Sequence, residues 1–385
     1  MNLDPTPEQK LMQETARDFA REALEPVAAG LDREFDRRVF VGNLTKMAGL
    51  GFMGMGVRRE YGGSESGAVA FSMVMAEIGR ACASSAVTVS VTNMVAEVIQ
   101  AVGNEEQKRA YLPRICSGEF PAASFALTET GAGSDPAGMS TTATLDGREW
   151  VLNGEKHFIT NSPFAGVFVV WAVTDRAAPK GKGISCFLVE AGSKGLVVGK
   201  QEEKMGQRGS QTTALHFQDC RIPRANLLGK PNDGFRVAVN ELNGGRIGIG
   251  SLALGIGSAA MDFATHYAHQ RVQFNEKITS FEAIQWMIAD AYTDLEAARL
   301  LLLSAAFRKD QGRPHAREAA MAKMFATEAA NRACYDAIQM MGGYGYTRDF
   351  PLERYARDVR ITSIYEGTNE IQRLIIAREI LKSVA

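Results

Sequence analysis

Four short segments of this 385-residue chain gather residue types suited to ligand binding and proton transfer. The last is Ile364-Tyr365-Glu366-Gly367-Thr368-Asn369-Glu370-Ile371-Gln372-Arg373. Gly367 breaks the chain, and Asn369 with Gln372 resembles a capping box opening a final helix. Glu366 therefore stands on a loop between an aromatic residue and a glycine. A loop carboxylate is usually solvated, but one pressed into an apolar site has a raised pKa and can act as a base. The first segment, Phe125 to Asp135, reads as a strand entering a loop that holds Thr128, Gly131, Gly133 and Ser134. Such a loop offers N–H groups and small side chains to a bulky polar ligand. No Gly-Lys-Ser/Thr follows, so it is not a phosphate loop of nucleotide hydrolases, and taken alone a plain surface turn explains it better. The second, Lys156-His157-Phe158-Ile159-Thr160-Asn161, follows an Asn153-Gly154 turn; by itself Phe158 reads as core. The third, Arg271-Val272-Gln273-Phe274-Asn275, closes a helix. Its arginine suits a pyrophosphate, or equally a C-terminal cap complementing the helix dipole.

These segments need elements to position them. Apolar positions recur at helical spacing over Glu8–Leu24, with Pro26 after the end, and again over Ala68–Cys82, Ala86–Val102 and Glu105–Ser117. Near Pro121 the texture changes. Asp146-Gly147 and Asn153-Gly154 are hairpin-type dipeptides, and Val167–Val173, Ile184–Val189 and Thr212–Phe217 are rich in β-branched and aromatic residues. The helical period returns over Arg246–Arg271, Phe281–Gln311, Ala316–Met341 and Ile371–Ser383, whose apolar faces predict a four-helix bundle, with Gly342–Tyr346 as a loop. The expectation is an α+β multidomain chain: a helical domain over residues 1–120, a β domain over 121–230 and a C-terminal helical bundle over 231–385.

Composition limits the function classes. With 43 basic against 44 acidic residues and a net charge of −1, a broad footprint for nucleic acid or anionic membrane is not expected. Arg354, Arg357 and Arg360 alternate with acids and read as a solvated helix face. The uncharged stretches Ala81–Ala96 and Ile247–Met261 fall short of the ~20 apolar residues of a membrane span and read as closely packed helices. The amino terminus lacks the layout of a signal peptide, so a cytoplasmic protein is expected. Five scattered cysteines, none in a Cys-x-x-Cys pair, argue for a reducing compartment and against a zinc site. His266 and His269 lack completing ligands, so no metal is expected.

Together the segments are far more specific than singly. Thr-Glu-x-Gly-Ala-Gly-Ser-Asp (128–135), Lys-x-aromatic-Ile-Thr-Asn (156–161), Arg-x-Gln-Phe (271–274), Gln-x-x-Gly-Gly-x-Gly (339–345) and the Ile-Tyr-Glu-Gly-Thr segment occur in the order found in acyl-CoA dehydrogenases. The chain resembles that family over essentially its full length. The resemblance implies FAD lined by Phe125, Leu127, Thr128, Gly133 and Ser134, with Phe158, Ile159 and Thr160 along the isoalloxazine ring and Thr368 and Glu370 completing the site. Arg271, Phe274, Gln339 and Gly343 match residues that reach the FAD of a neighbouring subunit. Ser134, Asn243, Arg246, Gly367 and Arg378 match acyl-CoA-binding positions. Glu366 matches the base that takes the α-proton while the β-hydride passes to flavin N5, giving a trans-2-enoyl-CoA. Some branched-chain members carry the base on the preceding long helix, where this chain has Gly245. Glu282 stands where relatives often have a Gln, and Asn275 replaces a usual Gly but tolerates positive φ. A homotetramer passing electrons to electron-transferring flavoprotein is implied. The alternatives are an oxidase-like flavoenzyme of the same fold and a non-enzymatic assembly protein. The matching helix Ala81–Ala96 has no Lys or Arg, which predicts a neutral acyl chain, short to medium in length or branched.

Overall fold

The computed structural model describes residues 4–382 and 384; the Met1–Leu3 part of the amino-terminal reading and Ser383 of the last expected helix lie outside the described residues. Six helices come first: α1 (Pro7–Phe19), α2 (Glu25–Arg33), α3 (Arg37–Gly49), α4 (Gly67–Ala81), α5 (Ala83–Val102) and α6 (Glu105–Cys116). Thr6 and Gln9 form a reciprocal capping box at the start of α1, and Asn104 and Gln107 do the same for α6. Pro26 does not end the first helix as expected. The chain widens into a π-type turn over Ala20–Leu24 and resumes as α2, with Pro26 in the first turn, where its missing N–H has no intrahelical partner to lose.

The middle of the chain forms one eight-stranded sheet from β1 (Ala122–Ala126), β2 (Thr142–Asp146), β3 (Glu149–Thr160), β4 (Ala165–Val173), β5 (Ile184–Glu190), β6 (Leu196–Gln201), β7 (Thr212–Pro223) and β8 (Leu227–Leu228). The strand order is β6-β7-β3-β2-β4-β5-β8, and β1 runs parallel to β4. β4 is apolar throughout because both faces are covered: Val167, Val169 and Trp171 enter one core, Phe168, Val170 and Ala172 the other. Asp146-Gly147 turns between β2 and β3, but Asn153-Gly154 does not turn. It lies inside β3 at a register shift against β7, with Gly154 at φ +139° and no room for a Cβ against Thr141. A glycine in a strand marks a close backbone approach as readily as a turn.

The carboxy-terminal part holds α7 (Gly234–Gln270), a small hairpin of β9 (Val272–Gln273) and β10 (Glu276–Lys277), then α8 (Glu282–Asp310), α9 (Ala316–Met341), α10 (Gly343–Tyr346), α11 (Leu352–Arg360) and α12 (Asn369–Lys382). The expected Gly342–Tyr346 loop contains the single helical turn α10. Phe274 and Asn275 both take positive φ, +54° and +66°, and close the β9–β10 hairpin. Helices α4 and α7 cross closely: a Cβ on Gly79 would stand 2.8 Å from the Leu252 carbonyl oxygen. Two helices, α5 and α7, exceed the uncharged stretches read from sequence. By length and composition they could cross a membrane, but 78% of each apolar window is buried inside the fold.

Of the three α11 arginines expected to be solvated, Arg360 is exposed but the other two are not. Arg354 and Asp358 are buried, and Arg357 bridges Asp32 and Glu353. Asp358 accepts the Gln207 N–H, and Arg354 lies over the Tyr355 ring. Alternating charge on a helix can mark a paired face, and here Asp32 and Gln207 come to it from elsewhere in the chain.

Candidate active site

Glu366 sits at φ +53°, a left-handed conformation unusual outside glycine. Four hydrogen bonds hold its loop. Lys323, on the buried alanine face of α9, donates to the Gly367 carbonyl at 2.9 Å and to Asn369 Oδ1 at 3.1 Å. Gln372 donates to the same carbonyl at 2.7 Å, and the Tyr365 hydroxyl meets Gln207. The predicted capping box does not form. The Thr368 hydroxyl accepts the Ile371 N–H instead, because the Asn369 amide is taken up by Lys323 and Thr327.

The Glu366 carboxylate enters a niche on α7. A Cβ on Gly245 would collide with Glu366 Oε2 and with Met94 of α5, so glycine is what admits the side chain. Oε2 is buried without a hydrogen-bond partner. Burial pushes the Glu366 pKa up to about 7, against the opposing pull of Lys323 and Arg246. Arg246 is itself buried, bonded to Asn243 Oδ1 and carrying an unpartnered Nε. Burial lowers its pKa to about 10, so it stays cationic beside Glu366. Asn243, Arg246, Glu366 and Gly367 are thus brought to one place. Arg378 lies apart on the exposed side of α12.

A second surface runs from β1 through the following loop to β3. Phe125 packs on Trp171 with ring centroids 4.3 Å apart, and Ser124 Oγ donates to the Thr160 carbonyl. Phe158 is not core: it is 62% exposed at φ +57°. Ile159 turns into the sheet core, so only its backbone can face a ligand there. Gly131 and Gly133 have open space where a Cβ would stand, and Ser134 is exposed. An uncovered aromatic beside an open small-residue loop fits a flat, extended cofactor such as FAD. The loop is anchored by a buried ion pair: Lys156 Nζ donates to Glu129 Oε1 at 2.8 Å and to the Leu127 carbonyl at 3.1 Å, while Glu129 accepts the N–H groups of Ser140 and Thr141.

The third region is a groove of about 680 Å³ that brings together Arg271, Phe274, Gln339 and Gly343 with Tyr267 and Tyr344. Phe274 is 89% exposed on its rim. Among the described residues no group of three or more His, Cys, Asp or Glu side chains is set to hold a metal ion.

Three family models match in succession: the acyl-CoA dehydrogenase N-terminal domain over residues 6–119, middle domain over 124–220 and C-terminal domain over 232–381. The chain belongs to the acyl-CoA dehydrogenase family. It is 46% identical to acryloyl-CoA reductase (NADH) of Anaerotignum propionicum, over 99% of this chain and 96% of that protein. It is 47% identical to the mitochondrial short-chain specific acyl-CoA dehydrogenase of Homo sapiens, over 98% of this chain and 91% of that protein. The solved butyryl-CoA dehydrogenase of Megasphaera elsdenii superposes with a TM-score of 0.95 at 37% identity, covering 99% of this chain and all of that one. This acyl-CoA dehydrogenase is therefore a flavoprotein oxidoreductase that uses FAD to dehydrogenate acyl-CoA thioesters.

Sequence reading passed over several residues of the acyl-CoA dehydrogenase site. Lys323 was legible as the one charged residue among Ala319, Ala322, Ala326 and Ala330 on the buried face of α9. Met94 gave no such sign, and although Lys156 and Glu129 stand in the matched segments, their pairing across two elements was not legible.

Proposed function

We propose that the protein oxidises the Cα–Cβ bond of a short, uncharged acyl-CoA, with Glu366 as the base. The observation that carries this is the buried, unpartnered Glu366 Oε2 in the niche opened by Gly245. A carboxylate in such a setting is desolvated and lacks a competing donor, so a substrate C–H is the group it meets. Arg246 and Lys323 keep a usable fraction of it ionised, and the Gly367 carbonyl contacts fix its direction. FAD, when bound, supplies the two-electron acceptor for the β-hydride. Phe125, Leu127, Thr128, Gly133, Ser134, Phe158, Ile159, Thr160, Thr368 and Glu370 are proposed to hold it. Ser134, Asn243, Arg246, Gly367 and Arg378 are proposed to hold the acyl-CoA.

Anaerobic mixing with butyryl-, 2-methylbutyryl-, octanoyl-, cyclohexanoyl- and glutaryl-CoA tests the reading. Butyryl-CoA should bleach the flavin. Because burial raises the Glu366 pKa, its basic form gains as pH rises, and the bleaching rate of free enzyme should climb through about pH 7 and level off above it. A colourless protein that fails to bind added FAD, or a highest kcat/KM for glutaryl-CoA, would overturn the assignment. The 46% identity to an acryloyl-CoA reductase favours a second reading, reduction of a short enoyl-CoA. The same Glu366 would return the proton, and bleaching by an acyl-CoA against reoxidation by an enoyl-CoA measures the preferred direction.

The exposed Phe274 and the groove behind it support a homotetramer in which Arg271, Phe274, Gln339 and Gly343 reach a neighbour's FAD. Arg271→Ala should then lower FAD content and loosen the assembly together, read by flavin absorbance and by sedimentation, since what binds the folded oligomer stabilises it. An FAD-replete, active monomer would contradict this. Electron-transferring flavoprotein as acceptor, a cytoplasmic location and domain extents of 1–120, 121–230 and 231–385 complete the proposal. Rapid reoxidation by air would favour the oxidase reading instead, and absence of any bleaching the assembly role.

A further inference from the structure

Beside Gly245, the preceding glycine faces a different group of charges. A Cβ on Gly244 would lie 2.7 Å from Lys309 Nζ, 3.4 Å from Glu97 Oε2 and 3.6 Å from Glu241 Oε1. Lys309, near the end of α8, pairs with Glu97 of α5 at 2.5 Å. Glu97 follows Met94 by three residues, one helical step along the face that lines the Glu366 niche. Its other oxygen lies against Gly56, where a Cβ would collide with it. Glu97 holds the ammonium, and the Glu241 carboxyl stands beside the pair. Glu241 Oε1, like Glu366 Oε2, is buried with no hydrogen-bond partner. Burial, then the neighbouring Glu97, push the Glu241 pKa well above the carboxylate range, while Lys309 opposes them. Both effects favour the protonated form of Glu241. Whichever form it takes, Oε1 is a buried acceptor that no donor meets.

We propose that Glu97, Glu241 and Lys309 form the far wall of the acyl pocket and select a short acyl chain ending in a neutral hydrogen-bond donor such as a hydroxyl. This rests on Glu366 being the base at the α-carbon. The wall discriminates by what each chain end would leave unpaired. A terminal methyl leaves the Glu241 acceptor buried and unsatisfied. A terminal carboxylate meets two carboxyl groups around a cation that Glu97 already neutralises. A terminal ammonium meets Lys309. A hydroxyl donates to Glu241 Oε1 and displaces none of the existing pairs. The sequence-based expectation of a neutral chain is thereby sharpened: the chain is uncharged but not purely aliphatic.

The test uses FAD-loaded enzyme and matched substrates: 4-hydroxybutyryl-, 5-hydroxyvaleryl- and 6-hydroxyhexanoyl-CoA against butyryl-, valeryl- and hexanoyl-CoA. At one chain length the hydroxyacyl thioester should exceed its plain counterpart in kcat/KM by about tenfold, the effect of one buried hydrogen bond. Glu241→Leu should bring that ratio to one or below, and Glu241→Gln, which keeps an acceptor, should preserve it. If Glu241→Leu does not fold, the wild-type ratios and Glu241→Gln decide. Butyryl-CoA bleaching the flavin with no hydroxyl preference at any length would overturn this inference and leave the base intact. Failure of every acyl-CoA to bleach the flavin would overturn both.

Discussion

Glu366→Gln should slow substrate-dependent flavin reduction by about 10²–10⁴-fold, the range for losing a positioned general base, while FAD and acyl-CoA still bind. The amide has nearly the same shape, so the niche against Gly245 and Met94 stays filled. The acid limb through about pH 7 should vanish from the residual rate, because that limb belongs to the lost carboxyl. Lys323 keeps its bonds to the Gly367 carbonyl and Asn369, so the loop should hold its course. Stopped-flow absorbance of the flavin at saturating butyryl-CoA reads the rate, and equilibrium binding of a non-reactive thioester analogue reads affinity. A rate near wild type would show that another group removes the proton. Glu241, the next carboxyl along α7, would be the first to examine.

The helical, β and helical order was legible because long periodic helices and β-branched runs carry their signal locally. Failures came where the deciding partner is distant in sequence. Pro26 looked terminal, yet the π-type turn at Ala20–Leu24 lets the helix resume across it. Asn153-Gly154 has the chemistry of a turn, but pairing with β7 and the close approach of Thr141 keep it inside a strand. Arg354 and Asp358 looked solvated because Gln207, which meets Asp358, lies 151 residues away. In the site, the motif residues were visible as a family pattern, whereas those that support them were not. Lys323 acts on the Glu366 loop from another helix, and Gly245 matters for the side chain it does not have. Phe158 shows the opposite case: its residue type suggests core, but positive φ turns it outward.

Lys156→Met should destabilise the protein by about 3–5 kcal/mol, the usual consequence of stripping one partner from a buried ion pair. Lys156 and Glu129 are both almost fully buried, so the remaining carboxylate cannot be rescued by water. Burial alone would raise the Glu129 pKa, but Lys156, Thr141 and the Ser140 N–H together bring it to about 2. An unfolded glutamate titrates at about 4.3. The contribution from Glu129 is therefore present above that value and is lost as pH falls toward about 2, while burial lowers the Lys156 pKa to about 8 and bounds the charged pair on the alkaline side. In Lys156→Met the sign changes: the unpaired Glu129 titrates above its unfolded value, so the variant should be relatively more stable in mild acid than at neutral pH. The double variant Lys156→Met with Glu129→Leu removes both charges and should recover much of the lost stability, although the Ser140 and Thr141 N–H groups lose their acceptor. Urea unfolding at pH 5 and pH 7.5 reads these differences, and flavin content reads the consequence for the Thr128–Ser134 loop. A single variant as stable as wild type at neutral pH, with full FAD, would show that the ion pair does not anchor that loop.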